Sequence, residues 1–141
     1  MSRDNDDGIL RRSPSRTKRQ VDFLLRRIKP PREARLVDLG CGEGAHLVHL
    51  ARRGYTNLVG IDTDGKAIEI AGEAARRAGV PIELRKGDFA RVPFRCFLAY
   101  AFFGGFGYGE DRDVLADLRI LARRIQRGGA IVVDLVNRDF F

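Results

Sequence analysis

The stretch Val37-Asp38-Leu39-Gly40-Cys41-Gly42-Glu43-Gly44 decides the fold. Three glycines at alternate positions stand between an apolar run, Arg35–Leu39, and a helix-like segment, Ala45 to Arg53, whose Leu47, Leu50 and Ala51 share one face. Glycines between a strand and a helix let the chain take positive φ and let backbone approach a ligand closely. The free N–H groups at the start of the following helix suit a carboxylate or phosphate. The local reading is therefore strand, ligand-binding turn, helix.

Two ligand classes compete for such a turn. Gly40-x-Gly42-x-x-Ala45 satisfies the dinucleotide pattern, so the glycines alone do not discriminate. Asp62, at the end of the next apolar run and followed by Thr63, suits either class, since both ligands carry a ribose with vicinal hydroxyls. Asp38 discriminates. A carboxylate two residues before the first glycine repels a pyrophosphate and suits the cationic amino end of S-adenosylmethionine.

Working outward, Val21, Leu24, Leu25 and Ile28 follow the i, i+3, i+4, i+7 rule of an amphipathic helix, closed by Pro30-Pro31. Downstream of the glycine turn, Asn57–Ile61 predicts a strand. Gly65–Ala78 predicts a helix capped by Asp64, with Ala67, Ala71, Ala74 and Ala78 on one face. Pro81–Lys86 predicts a third strand and Phe97–Phe103 a buried fourth one, running into the glycine-rich Gly104–Gly109. Asp111–Ile125 predicts a helix with Val114, Leu118, Leu121 and Ile125 in one stripe. Gly128-Gly129 predicts a turn and Ala130–Val136 a fifth strand. Short apolar strands alternating with helices give an α/β fold: a doubly wound, mainly parallel, Rossmann-like sheet of about five strands, helices on both faces.

Composition narrows the class. The 141 residues suffice for one domain with a real core, read as residues 16–141 behind a polar leader, 1–15, expected to lack structure. No apolar run approaches the roughly 20 residues of a membrane span. No signal peptide is evident, so a cytoplasmic, membrane-free location is expected. Cys41 and Cys96 are isolated, which suits a reducing compartment and argues against a disulfide framework. His46 and His49 lie i, i+3 without a third ligand, so no metal is expected. Residues 1–35 hold 11 basic and 5 acidic residues, the remainder 15 and 14, so nearly all of the net charge of +7 belongs to the N-terminal part. That part is either an arm for nucleic acid or another polyanion, or a solvated leader; the solvated reading is preferred.

With these residues in place a resemblance emerges. Asp38–Gly44 resembles motif I, DxGxGxG, of class I methyltransferases, and Gly60-Ile61-Asp62 resembles their ribose-binding second strand. Gly87-Asp88 is similar to the turn after their third strand, and Arg127-Gly128-Gly129-Ala130 to the turn before their fifth, with Arg127 in place of the usual proline. Phe102–Tyr108 and Asn137–Phe140 are similar to stretches of a branch that acts on small molecules. The match covers residues 35–140 in register. It implies S-adenosylmethionine as cofactor and methyl donor, contacted by Asp38, Gly40, Cys41, Gly42, Gly44, His46, Asp62, Thr63, Asp88, Phe89 and Phe103. It further implies a small-molecule acceptor and names no general base. Tyr108 either meets a substrate or plugs the sheet end, the plug being preferred.

The sequence departs from that family in two places. Arg95-Cys96 replaces a Phe-Asp pair at the start of the fourth strand, after a short loop. The family continues from strand five into an antiparallel hairpin, whereas this sequence stops at Phe141. The expectation is an apolar Ala130–Val136 edge, open to a second copy or a partner, and a chain that transfers no methyl group unaided. Two other functions stay open: a cofactor-binding or assembly fragment without activity, and an NAD(P)-binding oxidoreductase domain.

Overall fold

The sheet grows outward from the glycine-bearing strand. In a computed structural model, which describes residues 14–88, 92–102 and 114–134, β1 (Leu36–Leu39) lies at its centre. It pairs in parallel with β2 (Leu58–Asp62) on one side and β4 (Cys96–Ala101) on the other. β3 (Glu83–Lys86) extends the sheet beyond β2, and β5 (Ile125–Val133) beyond β4. The order is β3-β2-β1-β4-β5, with every pairing parallel. The chain winds one way from β1 through β3, then crosses to start β4 on the far side of β1. The strand order therefore reverses between β1 and β4, and ligands of open α/β sheets bind at the carboxyl ends of strands at such a point.

Alternation along the strands sorts the core into two layers. Leu36, Leu58, Leu98 and Tyr100 face one side, where Val21 and Leu24 of α1 (Pro14–Ile28) and Leu47 and Leu50 of α2 (Ala45–Arg52) cover them. Ile68 of α3 (Gly65–Ala78) packs on the same side. Val37, Leu39, Val59, Ile61 and Ala99 face the other, under Leu121 and Leu118 of α4 (Val114–Ala122). β1, β2 and β4, covered on both faces, carry the continuous apolar runs the sequence pattern implied, whereas the edge strand β3 is polar and largely exposed and β5 is only partly covered. α3 is capped as expected: the Asp64 side chain accepts from the Lys66 and Ala67 amides, and Gly79 closes the helix at φ 65°.

Several details differ from expectation. α1 begins at Pro14, so Pro14 and Ser15 of the leader are helical. In α3 the fully covered residues are Ala71 and Ala75, while Ala67, Ala74 and Ala78 are only half covered. Ile125 does not continue α4 but opens β5, opposite Cys96. Gly128-Gly129 is not a turn before β5 but a register shift inside it, with Gly128 at φ 83°. Ile125 still packs under the α4 side of the sheet, so its apolar signal was real and only its element was misassigned. The shift needs Gly129 itself, because a Cβ there would collide with the Phe97 carbonyl oxygen of the neighbouring strand.

Candidate functional site

The glycine turn is held open by β2. The Gly40 and Cys41 amides both donate to the Ile61 carbonyl, at 2.8 and 3.0 Å. Gly40, Gly42 and Gly44 have φ of 76°, 53° and 84°, the left-handed region where a side chain is strained. Gly44 meets a second demand, since a Cβ there would lie 3.1 Å from the Ala71 Cβ of α3. Gly60 serves the same turn from below. A Cβ on it would lie 2.6 Å from Leu47 Cδ1 and 2.8 Å from Cys41 Sγ.

Asp62 organises the turn more directly than the sequence reveals. Its Oδ2 accepts from the Gly42 amide at 2.8 Å and its Oδ1 from the Asp64 amide at 2.8 Å. Its carbonyl accepts from the Gly87 amide at 2.9 Å, which brings the Gly87-Asp88 turn alongside. One residue thus joins the ends of β1, β2 and β3. Each carboxylate oxygen retains a second lone pair, enough for two vicinal hydroxyls.

Asp38 is buried, 2% exposed, and lies in register between Gly60 of β2 and Tyr100 of β4. A carboxylate placed there, at the switch point and away from bulk water, exerts a strong field on a nearby cation. α2 supplies the complementary end. Its N-cap, Gly44, gives no side-chain hydrogen bond, so the positive end of the helix meets the turn without a side-chain cap.

The expected site residues divide three ways. Asp38, Gly40, Gly42, Gly44 and Asp62 converge at the carboxyl ends of β1 and β2, with exposed Thr63 and Asp88 at the rim. Cys41 and His46 belong to this turn by backbone, but their side chains point into the core. The Cys41 thiol is fully buried against Gly60. His46 is 1% exposed; its Nε2 sits 2.7 Å from Gln20 Oε1 of α1, and its ring stacks on Phe102 at 5.2 Å. The His46 side chain thereby fastens α1 to the carboxyl end of β4. Gln20 carried no sequence signal, because its partner is 26 residues away. Phe89, Phe103, Tyr108 and the Asn137–Phe140 stretch lie outside the described residues. Among the described residues no cluster of His, Cys, Asp or Glu suits a metal, and no helix is long and apolar enough to cross a membrane.

A buried carboxylate, a glycine turn at the switch point of the sheet and a second carboxylate with lone pairs to spare fit a ligand that is cationic at one end and carries ribose hydroxyls. They do not fit a pyrophosphate, which Asp38 would repel. Comparison with known proteins agrees. The model of a methyltransferase domain family matches residues 36–129. The indolepyruvate C-methyltransferase of Streptomyces griseus is 44% identical over 68 residues, 46% of this chain and 20% of that protein. EEF1A lysine methyltransferase 2 of Homo sapiens is 37% identical over 65 residues, 45% of this chain and 28% of that protein. Among solved structures, an S-adenosylmethionine-dependent methyltransferase from Clostridium acetobutylicum ATCC 824 superposes with a TM-score of 0.77 at 17% identity, over 92% of this chain and 54% of that one. The chain thus spans less than a third of either relative's length and about half of the structural neighbour's. A family match over residues 36–129, on a Rossmann-like sheet with its glycine turn at the switch point, places this chain in the methyltransferase domain family.

Proposed function

We propose that this domain binds S-adenosylmethionine across the ends of β1, β2 and β3 and delivers its methyl group to a small-molecule acceptor. The observation that carries the reading is the Asp62 carboxylate, which pins the Gly42 amide of the glycine turn while keeping lone pairs for ribose hydroxyls. Asp38 holds the amino end of the methionyl group, directly or through water, and the first-turn amides of α2 suit its carboxylate. Asp88, next to the Gly87 amide that donates to the Asp62 carbonyl, takes the adenine amino group, the role that the resemblance to the family's third-strand turn implies.

The sulfonium makes its own methyl group electrophilic, so the bound donor supplies the leaving group for an in-line displacement. The protein's contribution is position and orientation. A general base is required only for an acceptor that loses a proton, and no described residue is assigned that role. The small-molecule acceptor is supported by the likeness to an indolepyruvate C-methyltransferase, the stronger of the two sequence matches above.

Calorimetric titration with S-adenosylhomocysteine, S-adenosylmethionine and NAD tests the reading. The two sulfur ligands should bind and NAD should bind far more weakly. NAD binding as tight as either would overturn it. A methyl-transfer assay against small 2-oxo acids, phenols and a lysine peptide then separates acceptor classes; transfer to the peptide alone would overturn the small-molecule assignment.

A further inference from the structure

The positive charge of this chain has a structural address outside the cofactor site. α1 buries Val21 and Leu24 completely against the sheet, and its opposite face carries Arg16, Arg19, Phe23, Arg26 and Arg27, all exposed. At 3.6 residues per turn these five positions fall within an arc of about 100°, running about 16 Å along the helix. The arc contains no carboxylate. The helix's acidic residue, Asp22, lies off the arc and is held by Lys18 at 3.0 Å and Arg53 at 2.7 Å. Arg19, Arg26 and Arg27 enter no ion pair among the described residues. Phe23, 43% exposed, sits in the middle of the arginines.

We infer that this face of α1 is a docking surface for single-stranded nucleic acid, with phosphates on the arginines and one base stacked on Phe23. Three features favour that occupant. Guanidinium groups bind phosphate through paired N–H donors, and the stripe is made of arginine rather than lysine. An exposed aromatic ring flanked by cations is the arrangement that tracks a single strand, since every base has a face to stack. A membrane surface is disfavoured because the apolar face of α1 is already spent on the core. Only Phe23 remains to insert, whereas interfacial helices bury a whole apolar face in lipid. The inference does not depend on the cofactor reading, because the stripe shares no residue with the glycine turn.

Fluorescence anisotropy with a labelled 12-nucleotide single-stranded RNA tests it, using the full chain at about 50 and 200 mM salt. The wild-type chain should bind, and the affinity should fall steeply with salt as condensed counterions are released. The variant R19A/R26A/R27A should lose at least tenfold in affinity, with a log–log salt slope shallower by about 2. Phe23→Ala should lose about fivefold on the single strand and little on the matching duplex. Circular dichroism and S-adenosylhomocysteine titration should be unchanged in both variants, which separates loss of the stripe from loss of the fold. The companion R3A/R11A/R12A should keep most of the affinity. The proposal is overturned if the wild-type chain does not bind at low salt, or if R19A/R26A/R27A binds like wild type. It is equally overturned if the companion variant alone loses binding, or if vesicles containing phosphatidylserine are bound and RNA is not.

Discussion

At the scale of single residues, the site depends on groups that are absent as much as on groups that are present. Gly60 has no side chain because Leu47 and Cys41 occupy the space a Cβ would need. Gly60→Ala should therefore cost about 1–3 kcal/mol in urea unfolding, the usual penalty of overpacking, and should loosen the glycine turn above it. A variant as stable as wild type would show that Leu47 can retreat at no cost. Asp62 acts through its carboxylate. Asp62→Ala leaves the Gly42 and Asp64 amides without their acceptor and removes the proposed ribose contact. It should weaken S-adenosylhomocysteine binding by about 1–3 kcal/mol, read by calorimetry. Unchanged affinity would remove Asp62 from the site. The cysteines make a third prediction. Cys41 is fully buried, and burial pushes the Cys96 thiol up to about 11, with the nearby Arg35 pulling weakly the other way. At pH 8 about one Cys96 thiol in a thousand is ionised, and the thiolate is the reactive form. Both thiols should resist a disulfide reagent in the folded chain and react in denaturant; prompt reaction when folded would contradict the packing.

Among elements, the α1–α2 contact and the β4–β5 seam carry the testable energetics. Asp22 of α1 accepts from Arg53, the residue just after α2, and from Lys18 one turn earlier. These hydrogen bonds lower its carboxyl from 3.8 to about 2. A carboxylate whose folded value is depressed stabilises above its unfolded pKa and loses that contribution as pH falls through the folded one. The support Asp22 gives to the α1–α2 contact should be complete above about pH 4 and vanish toward pH 2. Asp22→Asn should flatten the stability profile in that window and leave the slope near neutrality unchanged. A profile identical to wild type between pH 4 and 2 would show the pair to be too solvated to matter. At the seam, Gly128→Ala meets open space but a φ of 83°, which costs about 1–2 kcal/mol. Gly129→Ala adds a collision with backbone, which cannot swing aside as a side chain can. Gly129→Ala should be the more destabilising of the two, and the reverse order would mean that β5 does not hold this register.

For the whole molecule, folding and cofactor binding are linked, because the site is assembled from the ends of three strands and exists only when the sheet is formed. A ligand that binds only the folded state raises stability by about 2.7 kcal/mol at a hundred times its dissociation constant. S-adenosylhomocysteine should produce a thermal shift of that size in the wild-type chain and a much smaller one in Asp62→Ala, while NAD at the same concentration should produce none. A shift of equal size with NAD would place the ligand elsewhere or identify it differently.

The sequence by itself determined the glycine turn, the five strands around it and the three carboxylates Asp38, Asp62 and Asp88. Much of this is written in local chemistry: positive φ demands glycine, β1, β2 and β4, buried on both faces, demand continuous apolar runs, and Asp64 and Gly79 mark the ends of α3. Where the signal is apolar periodicity alone it is ambiguous: the spacing puts Ile125 on the α4 stripe because a partly buried β5 residue leaves the same mark. Only the tertiary structure decided which side chains of the turn face outward. The His46 and Cys41 side chains point inward because Gln20, Phe102 and Gly60, distant in sequence, surround them there. It likewise decided that Asp62, besides standing at the end of β2, holds the turn of β1 and, through its carbonyl, that of β3. Such partnerships arise from strand order and register, which no local pattern of residues encodes.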